Sequence, residues 1–340
     1  PIENLAGSLF GGKKVKPEDD FAYNQSLHMY KVFFENGDLF LFSNQRQMDY
    51  WTGYVFGSEL IHLSTYSERP IYDRFIYAPM GIDTKQSIKH TSDVIKGVIP
   101  GIGKSDKVLL WTGGIWNHFD GQVLIRSMSK LKDKRPDIKL LFFGTKHPNP
   151  SIPEMKESLD TRKLATELGL LNETVFFNDG WVKYPDRINY LLEADVAINT
   201  HKSSIETEFS HRTRVLDHLL AGLPTISTEG DYLSDTVIGP KGLGIIVPPS
   251  DEVALGEAIV KILEPEKLDD ITKKIAKERT SFDWENTMSL LKQTLSGDIA
   301  KLPLSIASSE LYPDSKVWRV VKKVLPVPIK KAIIRTLRMR

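Results

Sequence analysis

The chain has 340 residues, of which 41% are hydrophobic and 26% charged, the mix of a globular protein, and its length suggests two domains. No apolar run approaches the roughly 18 residues of a spanning helix, and the absence of Cys excludes disulfides, thiolate nucleophiles and Cys-ligated metals. The net charge of +1 hides an asymmetry: nine Lys/Arg and no acid lie between Lys316 and Arg340, while the other 36 basic residues face 44 acidic ones, a net of −8. A mildly acidic body is not built to bind nucleic acid.

The chain starts at Pro1 with neither a basic n-region nor an apolar h-region, and reads as a fragment of a longer protein. Residues 1–100 hold a helix pattern over Tyr23–Asn36, a strand at Asp38–Phe42, a helix over Gln45–Gly57 and a strand at Phe75–Ala78. Two or three strands make no stable parallel sheet alone. This region therefore reads as the closing part of an α/β domain whose start is missing. Thr84–Asp106, polar and glycine-containing, reads as the interdomain linker.

From Lys107 to about Leu295 short apolar strands alternate with amphipathic helices at a period of roughly thirty residues. Strands are expected at Lys107–Thr112, Ile138–Phe143, Val175–Phe177, Val196–Asn199, Pro224–Ser227 and Gly244–Val247. Helices are expected over Asp120–Lys132, Glu154–Leu168, Pro185–Glu193, Ser210–Ala221, Glu252–Leu263, Lys267–Arg279 and Glu285–Leu295. Continuous apolar strands with helices between them imply a parallel sheet covered on both faces, a doubly wound, Rossmann-like domain over 101–300. Residues 301–340 read as a linker and a basic tail.

Several loops could carry chemistry. Gly101-Ile-Gly-Lys-Ser105 imitates the end of a phosphate-binding P-loop. The motif needs a Gly where Val98 stands and a strand before it, so a flexible linker is the better reading. Gly113-Gly114-Ile-Trp-Asn117 follows the first strand of the repeating region. A glycine turn there lets a phosphate or sugar reach backbone amides, or is a plain strand–helix turn. It lacks the dinucleotide fingerprint, which disfavours a dehydrogenase. Gly144-Thr-Lys-His147-Pro-Asn-Pro150 follows the second strand and is either a ligand loop or a stiff surface loop.

The densest cluster runs from His201 to Pro224 and follows the strand Val196–Asn199, at the carboxyl edge of the sheet where open α/β folds bind ligands. Ser210 is read as the N-cap of the next helix. Ser210, Arg214 and Asp217 are then spaced to share one face. Arg suits a diphosphate and Asp suits ribose hydroxyls. The alternative is an Arg214–Asp217 ion pair on a solvated face. Leu216, Leu219 and Leu220 form the buried face, and Gly222 ends the helix. No Asp-x-Asp metal site stands at a strand end, so no metal is expected.

Asp217-His-Leu-Leu-Ala-Gly222-Leu-Pro224 resembles the Glu-Ala-Met-Ala-x-Gly-x-Pro segment of family-4 retaining glycosyltransferases of the GT-B fold, with Asp217 at the place of their second Glu. Further segments resemble a bacterial subgroup from surface-polysaccharide and O-antigen clusters. These are Trp111–Asp120, Phe143–Pro150, Asn178-Asp-Gly-Trp181-Val-Lys-Tyr184, Phe209–Asp217, Asn44–Trp51 and Ala78–Gly81. The family's first acid falls on Phe209, which leaves Glu206 and Glu208 as candidates. Its phosphate-binding Arg/Lys pair is replaced by Trp116-Asn-His-Phe, which leaves Arg212 and Arg214.

The resemblance implies a GT-B enzyme that moves a sugar, with retention, from a nucleotide-sugar donor to a glycan or lipid-linked acceptor without a metal cofactor. Glu206, Glu208, Arg212 and Arg214 would be catalytic. Gly113, Gly114, Asn117, His147, Trp181, Ser210 and Asp217 would hold the donor. The enzyme would be cytoplasmic, peripheral on the membrane. A nucleotide-sugar 2-epimerase and a non-catalytic nucleotide-sugar binding subunit share the fold and stay open as alternatives.

The tail supplies the membrane expectation. Val317, Val320, Val321, Val324 and Leu325 follow helical spacing among cations, and Pro326 and Pro328 interrupt it. The first half could equally pack back on the first domain. Near an anionic surface each cation contributes about 1 kcal/mol. Co-sedimentation with anionic liposomes is expected to fall with salt and to vanish when Ile329–Arg340 is deleted; equal pelleting of the shortened protein refutes it.

Overall fold

The computed structural model describes residues 16–61, 63–68, 70–86, 88–145, 149, 151, 153–180 and 182–297. The expected ligand residues His147 and Trp181, and the tail from Lys316, lie outside the described residues.

The first lobe runs α1 (Pro17–Asn36), β1 (Phe40–Phe42), α2 (Gln45–Gly57), α3 (Leu63–Glu68) and β2 (Phe75–Tyr77). Helix α1 begins earlier than its apolar pattern suggested. Pro17 presets the first turn, and Glu18, Asp19 and Asp20 sit at the positive end of the dipole. Strands β1 and β2 pair in parallel with Phe40 opposite Phe75. Phe34, Phe42, Val55, Leu60, Ile71 and Phe75 form one small core.

The second lobe begins with β3 (Lys107–Thr112), α4 (Gly121–Leu131), β4 (Ile138–Phe143), α5 (Lys156–Glu167), β5 (Val175–Asn178), α6 (Arg187–Glu193) and β6 (Val196–Asn199). It continues through α7 (Ile205–Phe209), α8 (Arg214–Ala221), β7 (Thr225–Thr228), β8 (Gly244–Val247), α9 (Glu252–Ile262) and α10 (Pro265–Glu278). Helices α11 (Trp284–Thr287) and α12 (Ser289–Ser296) follow. The six strands pair in parallel in the order β5-β4-β3-β6-β7-β8. In the lobe's own count this is 3-2-1-4-5-6, the doubly wound order, with its switch between β3 and β6. One core packs Trp111, Phe142 and Ile198 under α4 and α9. The other packs Leu110, Leu141 and Ala197 on the opposite face. Alternate residues of each strand thus point to opposite faces and both are buried, so the strands read as unbroken apolar runs.

Three expectations need correction. The single helix expected over Ser210–Ala221 is two. Ser204 caps α7 by accepting the Thr207 amide, the chain turns at 210–213, and α8 starts at Arg214. Ser210 is the C-cap of α7, its Oγ donating back to Thr207 O at 2.9 Å, and it caps no following helix. The helix expected over Glu285–Leu295 is divided at Met288. Residues 94–106 are no loose linker: Ile95 and Ile102 are buried, and the Glu193 carboxylate accepts the amides of Val94, Ile95 and Lys96 at 2.6–2.9 Å. Gly222 does end α8, with φ +72°.

After α10 the chain returns to the first lobe. The Ile82 amide donates to Phe282 O at 2.8 Å, and the Trp284 amide to Ile82 O at 3.2 Å. At the far edge of the sheet, Gly244 faces Thr225 across the β7–β8 pair. A Cβ added there would lie 1.8 Å from the Thr225 carbonyl oxygen. Gly244→Ala is therefore expected to destabilise the protein by about 3 kcal/mol through overpacking against backbone that cannot yield. Urea unfolding checks this; a change below about 0.5 kcal/mol contradicts it.

Candidate functional site

The crevice lies at the carboxyl ends of β3 and β6, where the loops after neighbouring strands diverge to opposite sides of the sheet. After β3 the chain turns at Gly113, whose φ of +89° favours glycine. The loop then runs through His118 and Phe119 to α4, capped by Asp120 accepting the Val123 amide at 2.9 Å. After β6, Phe119 bridges to His201, and α7 and the turn before α8 close over the same space.

Two arginines dominate it. The Arg214 guanidinium stands 4.0 Å from the Phe119 ring centroid and 5.0 Å from that of Trp111. Its Nη2 donates to Gly114 O at 3.2 Å, while Nη1 is buried and has no partner among the described residues. Burial, then the charge of Arg212, lowers it to about 9, so Arg214 is still a cation at neutral pH. Arg212 approaches Phe119 at 5.1 Å and grips both oxygens of Glu206, at 2.9 and 2.7 Å. Both members of this pair are buried, and Arg212 Nε has no partner among the described residues. His118 lies 3.9 Å from Glu206, and burial pushes it down to about 4, so it is neutral. Arg212 thus has the Glu206 carboxylate, while Arg214 has no carboxylate partner among the described residues, which leaves a desolvated positive excess beside the glycine turn. Such an excess is costly unless an anion completes it.

The other expected residues separate. Glu206 belongs to this centre; Glu208 is exposed. Asp217 does not pair with Arg214 within the helix: it binds Arg187 of α6, whose guanidinium lies 3.8 Å from the Tyr184 ring centroid. Burial raises the Asp217 carboxyl, opposed by Arg187. Ser210, Arg214 and Asp217 do not share a helix face, because Ser210 precedes α8. Asn117 holds a neighbouring helix, its Oδ1 accepting the Glu157 amide at 3.2 Å and its carbonyl accepting Lys202 Nζ at 3.1 Å. Gly113 and Gly114 border Arg214.

Sequence reasoning missed Phe119 as the platform under both arginines, and His118 beside Glu206. The only local signal was that Trp116-Asn-His-Phe occupies the place of the family's cations. Nearby polar residues are structural. His218 bridges Thr112 and Thr225 and is pushed down to about 3 by burial. Buried His201 binds Asp231 at 3.1 Å. A groove of about 620 Å³ runs beside Glu206 towards the first lobe, walled by Tyr30, Phe34, Tyr50, Trp51 and Phe209. The described residues hold one group spaced for a metal ion, His90, Asp93 and Glu193. It lies at the sheet's amino edge, and Glu193 there already caps three amides.

Comparison with known proteins bears on the fold. Residues 106–265 match the family model described as "Glycosyl transferases group 1". No curated protein sequence matches the chain. Sucrose-phosphate synthase from Thermosynechococcus elongatus superposes with a TM-score of 0.55 at 19% identity, covering 80% of this chain and 61% of that one. WaaG, a glycosyltransferase involved in lipopolysaccharide biosynthesis, gives 0.50 at 18%, covering 66% and 57%. Anabaena HepE in complex with UDP-glucose gives 0.57 at 15%, covering 80% and 67%. These likenesses show the fold, an α/β architecture of the GT-B type. The chain spans about three fifths of the length of the first two structures. No helix among the described residues is long and apolar enough to cross a membrane.

The two acids of the entry helix are expected to differ sharply. Glu206→Ala leaves Arg212 buried without its carboxylate and should cost about 3–5 kcal/mol of stability. Glu208→Ala should stay within about 0.5 kcal/mol. Equal effects in urea unfolding would contradict the pairing.

Proposed function

We propose that the protein is a glycosyltransferase that binds the diphosphate of a nucleotide-sugar donor at the Gly113–Gly114 turn and Arg214. The observation that carries this reading is Arg214 itself: a desolvated cation, one donor held by a neutral carbonyl and another without a partner among the described residues, at the switch point of a doubly wound sheet. The family match over 106–265 and the UDP-sugar named for the HepE structure support it.

In the reaction the bond from the anomeric carbon to the diphosphate oxygen breaks, and the nucleoside diphosphate leaves with the electron pair. An acceptor hydroxyl forms the new bond to that carbon, and its proton passes to the departing diphosphate. Charge grows on the leaving oxygen, where a fixed cation and backbone amides stabilise it without reorganising. Arg214 supplies that cation, and Arg212, held by Glu206, adds to the field. The proposed outcome is transfer with retention, as the resemblance to family 4 implies, to a glycan or lipid-linked acceptor of surface polysaccharide. The aromatic groove beside Glu206 suits the apolar faces of such an acceptor's sugar rings. Because cations already offset the diphosphate, the reading requires no metal.

Arg214→Ala should weaken UDP binding by about 1.5–3 kcal/mol, the loss of a charge-assisted hydrogen bond. Calorimetry checks it, and unchanged affinity in a folded variant sinks the assignment. Sugar transfer should persist in EDTA; activity lost there and restored by manganese overturns the metal-free reading. Turnover of donor without acceptor to an epimeric sugar would favour the epimerase instead.

A further inference from the structure

The turn that carries Glu206 is held by the first lobe. Helix α7 has five residues, too few to be stable alone, and its last carbonyls need partners. Three side chains at the start of α2 supply them. Asn44 Nδ2 and Gln47 Nε2 both donate to Phe209 O, at 3.3 and 2.9 Å. Arg46 Nη1 donates to Glu208 O at 3.2 Å. Tyr50, one turn on, packs its ring 5.0 Å from that of Phe209.

Arg46 also reaches the loop after β7. Its Nη1 donates to Gly230 O at 2.7 Å, and its Nη2 pairs with Asp235 at 2.7 Å. Asp235 in turn accepts the Gly230 amide at 2.9 Å. One guanidinium therefore ties together two loops at the carboxyl edge of the sheet, across the gap between the lobes. Asn44 is fully buried and doubles as the cap of α2, accepting the Gln47 amide at 2.8 Å, so the gripping face is rigid.

From these contacts we propose that Arg46 is a positioning residue. Docked on the Glu208 and Gly230 carbonyls, it fixes helix α7, and through Glu206 and Arg212 it sets Arg214 for the diphosphate. Arg46 acts 160 or more residues away in sequence from the groups it holds. It couples the relative placement of the lobes to the competence of the donor site. The role at the diphosphate rests on the function proposed above; the hold on α7 does not.

Hydrogen exchange and UDP calorimetry on the same samples test it. Arg46→Ala should speed exchange of the amides at 205–212 while those of β3 and β4 keep wild-type protection. It should weaken UDP binding by about tenfold, as when a charge-assisted contact is lost. Arg46→Lys, which keeps the charge but not the fork, should recover part of both. Unchanged exchange at 205–212 overturns the hold on α7, whatever UDP does. Faster exchange with unchanged UDP affinity overturns the positioning role. Failure of the wild-type protein to bind UDP rejects the proposed function instead, and the exchange arm still decides the hold. If Arg46→Ala lowers the melting temperature of the whole protein, Asp235→Asn, which removes only the ionic partner, carries the same two measurements.

Discussion

Two guanidinium groups face one phenyl ring at Phe119, and among the described residues only that of Arg212 is paired with a carboxylate; the site's other features follow from that imbalance. A buried cation loses its hydration and must recover the energy from fixed groups. Glu206 offsets one charge in a two-pronged pair. The ring face offers Arg214 a weak electrostatic partner, and Gly114 a single carbonyl. Among the described residues, what is left unmatched is positive charge, at the place where the sheet topology opens a crevice. A polypeptide holds such an arrangement only by packing it rigidly. Here Trp111, fully buried in the core, and Phe119 form the floor.

That rigidity has a source on each side. Below, the parallel sheet presents the glycine turn after β3 at a fixed height, because β3 is bonded to β4 along its length and to β6 over Leu109, Leu110 and Trp111. Above, the short helix α7 has no such ladder. It owes its shape to Ser204 at one end and to the first lobe at the other. The glycine turn is thus built into one lobe, whereas the segment bearing Glu206 is completed by the other. The contact between the lobes and the electrostatics of the crevice thus meet at α7.

Local pattern was enough for the second lobe, because each of its signals is local. Apolar runs such as Val108–Trp111 and Ile138–Phe143 are buried on both faces, and amphipathic stretches such as Val123–Leu131 bury one. Both periods survive in the linear chain. The boundaries that failed did so where tertiary contacts override propensity. The expected helix from Ser210 gave way because Ser204 caps an earlier turn and Ser210 bonds back to Thr207. The linker proved ordered because one carboxylate, Glu193, satisfies three of its amides.

The sequence by itself determined the doubly wound sheet, the glycine turn at its carboxyl edge and the concentration of charge between His201 and Asp217, since strand period, turn chemistry and charge count are all properties of neighbours in the chain. Only the tertiary structure decided which charges meet. Asp217, set beside Arg214 by helical spacing, is drawn instead to Arg187 thirty residues earlier. Glu206, not Glu208, turns inward to Arg212, and Arg46 crosses from the other lobe to hold the loop. A long charged side chain can reach several partners, and burial selects among them. The desolvation that makes a wrong pairing costly exists only once the chain has closed around it.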